Sequence, residues 1–340
     1  MTRAARAFLL SVLLGSTAAA AQLHAFDTDG WHTWRVEAVE GAPAWCCFNR
    51  DEANARSRDC NLDSRFGYGS CDGSATTGGL VQVYAKIEDG RPVELRVLSP
   101  ECPVEVEGSV ADLGEIDTEA SFEWLSGLVR SGSRVSEDAM AAIAMHRGDA
   151  PLRFLTDAAN GRAEGEIRKS AIFWLGQVRI PEASGTIERL MLSGDRPDIR
   201  QHAAFALSQS TSPNRTEALI RQGREDPNGD TRSQAWFWLA QTGARESEEA
   251  IRRAVAGDPD RDVREEAVFA LSQLPEDRAV DALISVLRDR GLPREVREAA
   301  LFWLAQSESD RALAIVERLL VGGGAGAHDP ASITRPVRDF

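Results

Sequence analysis

Thiols, imidazoles and indoles are the groups in this chain whose types and spacing could do chemistry. The five cysteines, Cys46, Cys47, Cys60, Cys71 and Cys102, all lie ahead of the helical sequence. As thiolates they could bind zinc, but there is no C-x-x-C pair, and only His24 and His32 are near. In an oxidising compartment such thiols form disulfides instead. Five allow two bridges and one thiol over, in a pairing that spacing does not reveal. Adjacent Cys46 and Cys47 should bond to different partners, since joining neighbours strains the peptide between them. The histidines, His24, His32, His146, His202 and His328, show no metal-ligand spacing. No G-x-S-x-G, H-E-x-x-H or Walker A sequence is present, and no carboxylate is singled out as a general acid or base. DPNGD (226–230) and DPDRD (258–262) carry calcium-ligand residue types but lack a distal Glu, and turn-and-cap geometry accounts for them. The expectation is no catalytic residue, no cofactor and no metal.

Two sets of aromatics could instead grip a ligand. Trp31, Trp34 and Trp45 fall near the cysteines, where they either line a surface or supply the core of a domain short of aliphatics. The second set sits in EIRKSAIFWLGQV (166–178), which returns as DIRQHAAFALSQS (198–210), DTRSQAWFWLAQT (230–242), DVREEAVFALSQL (262–274) and EVREAALFWLAQS (295–307). On a helix of about 100° per residue, Ile167, Ala171, Trp174, Leu175 and Val178 share one stripe, Phe173 and Gln177 lie on one flank and Ile172 on the other. Only Lys169 and Gly176 point squarely away. That is a wider apolar arc than one edge helix buries, and it predicts helices packed between neighbours. The position of Trp174 alternates large and small, as Trp174, Ala206, Trp238, Ala270 and Trp303, so the indoles are expected inside, interdigitating along the stack.

The elements that hold these residues follow from the repeat. Ile167, Ile199, Thr231 and Val263 are spaced 32 apart, and Val296 follows after 33. Stepping back the same interval reaches Val135, in a divergent first unit, with SFEWLSGLVRSG (121–132) as a capping helix before it. Each unit reads as two helices. The first begins after Glu166, Asp198, Asp230, Asp262 or Glu295, with Asp read as an N-cap, and the second carries Ala218-Leu219, Ala250-Ile251, Ala282-Leu283 or Ala314-Ile315. Two residues past each acid stands an arginine: Arg168, Arg200, Arg232, Arg264 and Arg297. A ladder from these to Asp or carbonyl groups of the adjoining turn would lock repeat to repeat. Gln177, Gln209, Gln241, Gln273 and Gln306 could satisfy backbone groups where helix meets helix.

These units, with DPDRDVREEAVFAL (258–271) the best match, resemble HEAT-like repeats of the short type also seen in phycobilisome lyases. The resemblance covers about 135–320. It implies an α-solenoid and, for most of the family, an interaction scaffold. Deoxyhypusine hydroxylases, an enzymatic branch, carry iron on paired His-Glu motifs; this chain has no His-Glu pair, so that activity is not implied.

The remaining segments set the setting. Residues 1–21 have the Arg3 and Arg6 start, apolar Ala7–Leu14 run and small-residue end of a signal peptide, cut near Ala20 or Ala21, which predicts a periplasmic or secreted protein with no membrane insertion of the mature chain. Residues 22–114 read as a small β-rich, disulfide-stabilised domain. Its signals are an Asp89-Gly90 hairpin, a strand over 31–39 and a long loop between the two. Residues 115–134 are a linker and capping helix, 135–320 the solenoid and 321–340 a flexible tail. A formal net charge of −14 argues against nucleic acid. The function expected is an exported non-catalytic scaffold that binds a protein partner through the second helices, at variable positions such as Glu188, Arg221, Arg252 and Ser285. An enzyme or small-ligand binder with its site in the N-terminal domain is the alternative.

Overall fold

The computed structural model describes residues 23, 26 and 28–322, apart from 43, 50–59, 65, 71–77, 162–164, 179 and 308. The segment read as a signal peptide, most of the segment read as a tail and Cys71 therefore lie outside the described residues. The chain divides into two compact units, Met1–Arg215 and Thr216–Phe340.

The first unit opens with strands. β1 (Gly30–Glu37), β5 (Leu80–Glu88), β6 (Arg91–Leu98) and β8 (Val110–Glu115) form one sheet in the order β6-β5-β1-β8, with β8 parallel to β1 and the other pairs antiparallel. Asp89 and Gly90 turn the β5–β6 hairpin with both φ angles positive, 51° and 69°, as a tight primed turn requires. Most of β1 is buried on both of its faces, with Glu37 at its end exposed. Trp31 packs with Leu62, Tyr84 and Leu98, whereas Trp34 and Val36, on the alternate face, are also buried. The segment expected as one loop, 49–79, contains two short strands, Cys60–Asn61 and Phe66–Ser70, as well. β2 (Trp45–Asn49) pairs with β4 (Phe66–Ser70), and β3 (Cys60–Asn61) pairs with β7 (Val104–Glu105). Gly- and Asn-rich sequence hid them, because these short strands take their order from pairing and a disulfide rather than from an alternating pattern.

Helices follow: α1 (Thr118–Arg130), α2 (Ser136–Met145), α3 (Asp149–Asn160), α4 (Gly165–Val178), α5 (Ile180–Ser193) and α6 (Pro197–Ser208). From Arg215 onward come α7 (Arg215–Glu225), α8 (Gly229–Gln241), α9 (Arg245–Gly257), α10 (Arg261–Ser272), α11 (Glu276–Arg288), α12 (Arg294–Gln306) and α13 (Asp310–Gly322). The even-numbered helices are the first helices of the repeats, and each is followed by its second helix. Within each unit, successive first helices lie side by side.

The helix starts correct the sequence reading by about two residues. Asn228 caps α8 by accepting from the Thr231 N–H at 2.8 Å, and Asp260 caps α10 by accepting from the Asp262 N–H at 3.0 Å. Arg196 and Pro293 occupy the corresponding places before α6 and α12. Glu166, Asp198, Asp230, Asp262 and Glu295 lie inside the first turn, where they favour the positive end of the helix dipole without capping it.

Gly176 is also corrected. It is buried, and a Cβ there would stand 2.9 Å from both the Cβ and the carbonyl oxygen of Ala206 on α6. The side of the helix read as outermost is the side pressed on the next repeat. The small residues at this position, which include Ser208 and Ala240, are what closely packed helices need.

Candidate interaction surface

The joints between repeats are built on arginine. Arg168 donates from Nε to the Ala159 carbonyl (2.8 Å) and from Nη1 to Asp195 (2.8 Å). Arg200 donates to the Gly194 carbonyl (3.0 Å) and Arg264 to the Asp258 carbonyl (2.7 Å). Arg232 does most: Nη1 reaches the Asp226 carbonyl (3.0 Å), while Nε and Nη2 grip both carboxylate oxygens of Asp258 at 2.9 Å each. Arg168, Arg200 and Arg232 are buried, so the Arg232–Asp258 pair is shielded from water, whereas Asp195 keeps its carboxylate exposed. The hydrogen bond from Arg232 to Asp258 raises the pKa of its guanidinium, and that from Arg168 lowers the pKa of the Asp195 carboxyl. Arg297, in the last repeat, has a buried Nε without a hydrogen bond among the described residues.

A ribbon of rings runs along the first helices. In the first unit, Phe173 stacks on Phe205, centroids 6.0 Å apart and planes 15° apart, and Trp174 stands edge-on to Phe173. In the second unit, Phe237 stacks on Phe269 (5.7 Å, 14°), and Phe269 meets Trp303 at 4.6 Å. Trp238 and Phe302 extend that ribbon at its two ends, each beside the ring next to it in sequence. Trp174 is 7% exposed, as an inward stripe requires. Trp238 and Trp303, by contrast, are only half-buried, and Phe302 is 36% exposed. A helical wheel fixes where Cβ points, not how far an indole reaches; these indoles lie along neighbouring phenyl rings and keep part of their surface in water. The glutamines beside them bond to side chains rather than to the backbone: Gln241 donates to Gln273 (3.4 Å), and Gln209 and Gln273 donate to Ser208 and Ser272.

The second helices present a different surface. Arg221 on α7 and Ser285 on α11 are exposed, and Glu188 on α5 is half-buried. Arg252 on α9 is bound to Glu248 (3.1 Å), which also takes Arg278 from α11 (3.4 Å). Arg278 further donates to the carbonyls of Gly243 and Ala244, so part of this face is already engaged in holding repeats together.

A family model of HEAT repeats matches residues 152–236 and 216–305, over helices that follow one another in the repeat arrangement just described. The helical region is a HEAT-like repeat array. Two solved structures are similar to it. Human deoxyhypusine hydroxylase, in complex with glycerol, has 16% identity over 59% of this chain and 79% of its own, with a TM-score of 0.30. YibA of Escherichia coli has 18% identity over 60% of this chain and 76% of its own, with a TM-score of 0.37. A search of curated proteins finds no match.

Ahead of the HEAT-like array, the strand-rich region is held by a Cys46–Cys102 disulfide; Cys60 is also disulfide-bonded, and no described cysteine is free. The Cys47 side chain lies outside the described residues. Trp31 is buried and its Nε1 donates to Asp63 (2.9 Å). Burial alone would raise the Asp63 carboxyl, but bonds from Trp31, the Glu107 N–H and Lys86 hold it below the usual range.

A second buried chain ties the sheet to the array. Trp34 Nε1 donates to Ser121 Oγ (2.9 Å), Ser121 donates to His146 Nε2 (2.8 Å), and His146 Nδ1 donates to the Ala142 carbonyl (2.7 Å). The carbonyl can only accept, which places the imidazole proton on Nδ1 and leaves Nε2 to accept. This Ser-His pair is fully buried, with the imidazole Nδ1 engaged by the Ala142 carbonyl, and it joins the sheet to the helices. Sequence spacing could not have found it, since its members come from three elements.

A cleft of about 590 Å³ opens among Glu37, Glu115, Asp117, Glu119, Arg147 and Asp149. Arg147 pairs with Glu37 at 3.2 Å. Among the described residues no group of three His, Cys, Asp or Glu side chains is placed to hold a metal, and no helix is long and apolar enough to cross a membrane.

Proposed function

We propose that this is an exported, non-catalytic scaffold that binds a protein partner through the surface of its HEAT-like array. The observation that carries this reading is the partly exposed ring ribbon of the first helices, with Phe302 36% exposed at its end. A long surface of repeated apolar contacts suits a protein, whose interface buries area without needing a pocket. Of the three tryptophans an N-terminal ligand site would expose, Trp31 and Trp34 are buried, which supports the same reading, and Trp45 is half-buried. The Cys46–Cys102 disulfide is what a protein of an oxidising compartment would carry. A net charge of −14 supports a protein partner over nucleic acid.

Photo-crosslinkers placed on both helix sets, at Phe302 and at Arg252, test the proposal in the compartment of the native host. The expected result is a discrete protein adduct from at least one position. No protein adduct, together with a small molecule co-purifying on the strand-rich region, would overturn it.

A further inference from the structure

The chain already shows what its ring ribbon accepts. Trp45, carried on β2, seats its indole against Trp174 of α4, with centroids 5.7 Å apart and planes at 71°. An aromatic side chain on an extended strand is thus seated on the tryptophan of a first helix's Phe-Trp pair. The same pair recurs in the second unit as Phe237-Trp238 and Phe302-Trp303, joined through Phe269. Phe302 and the half-buried Trp303 keep surface available there.

Building on the scaffold reading above, we propose that the ribbon from Trp238 to Phe302 is the docking surface, and that its occupant is an extended segment of the partner protein bearing aromatic side chains. Geometry sets their spacing. Three neighbouring first helices at about 8–10 Å apart span about 16–20 Å, which an extended chain rising about 3.3 Å per residue covers in about six residues. Charge sets the flanks. The exposed Arg261 and Arg294 are paired with Glu265 (2.7 Å) and Glu298 (2.6 Å), while Asp230, Asp262 and Glu295 line the first turns of the same helices. The segment therefore carries Lys or Arg beside its aromatics. Edge-to-face ring contacts supply the affinity, and the acidic edge sets direction and salt dependence.

The test pans a phage-displayed library of random peptides, about 12 residues long so as to exceed the span, on the purified full chain. The expected consensus has two aromatics about six residues apart, with a basic residue near one of them. Phe302→Ser, at an exposed site that leaves the fold intact by circular dichroism, weakens the selected peptide at least about ten-fold, as does Trp238→Leu with Trp303→Leu. Arg252→Ala with Ser285→Ala leaves it unchanged. A consensus without paired aromatics, no enrichment, or ring variants that bind normally would overturn the inference. Loss of binding only in the Arg252 and Ser285 variant would do the same while leaving the scaffold proposal standing. Self-association that the ring variants abolish would make a second copy the occupant and also overturn it.

Discussion

Trp45 of β2 and Trp174 of α4 stand edge to face, 5.7 Å between ring centroids, and so join the strand-rich region to the repeats of its own unit. Such aromatic pairs contribute about 0.5–1.5 kcal/mol beyond the area they bury. A double-mutant cycle of Trp45→Ala and Trp174→Ala, read by urea unfolding, should give a coupling energy of that size. Strictly additive losses would mean the two rings stabilise their regions independently.

Much of the HEAT-like array was legible because its signal is repetition, and packing constrains each copy in the same way. Ala171, Trp174 and Leu175 fall in one buried stripe, as the period of the helix requires. What covers Trp174 was not legible, since Trp45 lies far away in sequence on a strand with no alternating pattern. Gly176 shows the converse limit. A wheel assigns glycine no preference, so a face emptied for close approach looks the same as a face turned to water. Trp34, Ser121 and His146 form a site of a kind that only tertiary structure assembles, and nothing in their local sequence marks them.

Arg232 and Asp258 should be the most sensitive joint in the second unit. Both side chains are buried, and the guanidinium makes two bonds at 2.9 Å to the carboxylate while also serving the Asp226 carbonyl. Arg232→Ala strands a buried carboxylate and should cost about 3–5 kcal/mol. Arg232→Ala combined with Asp258→Ala should cost less than the sum of the single changes, because no charge is left unpaired. Arg264→Ala removes a bond to the Asp258 carbonyl but strands no ion, and should cost about 1–2 kcal/mol. Equal losses for Arg232→Ala and Arg264→Ala, compared by denaturant melts, would refute this ranking.

Gly223 lies flat against an indole. A Cβ there would stand 2.6 Å from the Cε2 and Cζ2 atoms of Trp236, which is fully buried. Gly223→Ala should destabilise by about 1–3 kcal/mol through overpacking, outweighing the gain of up to about 1 kcal/mol in helix propensity. Gly185, exposed in α5 with no atom within 4 Å of where a Cβ would stand, provides the control. Gly185→Ala should stabilise by about 0.5–1 kcal/mol. Thermal melts that move both variants the same way would show that propensity, not packing, decides at Gly223.

Asp138, on α2 against β6, makes stability depend on pH. Burial lifts its carboxyl to about 6 from an ordinary 3.8; Arg96 of β6 opposes that rise, and Glu137 and Glu94 add to it. The folded state therefore holds this proton more tightly than the unfolded chain does. Its stabilising contribution is complete below about pH 4 and is lost as the pH rises through about 6, a difference of up to about 3 kcal/mol. Asp138→Asn keeps the shape and removes the titration, so the variant should be the more stable protein at pH 7.5. The gap should close as the pH is lowered toward 4. Because other carboxylates titrate in the same range, the informative quantity is the difference between the two proteins in urea unfolding at each pH. A difference that stays constant from pH 7.5 to 4.5 would show that Asp138 loses its proton as readily in the fold as in the open chain.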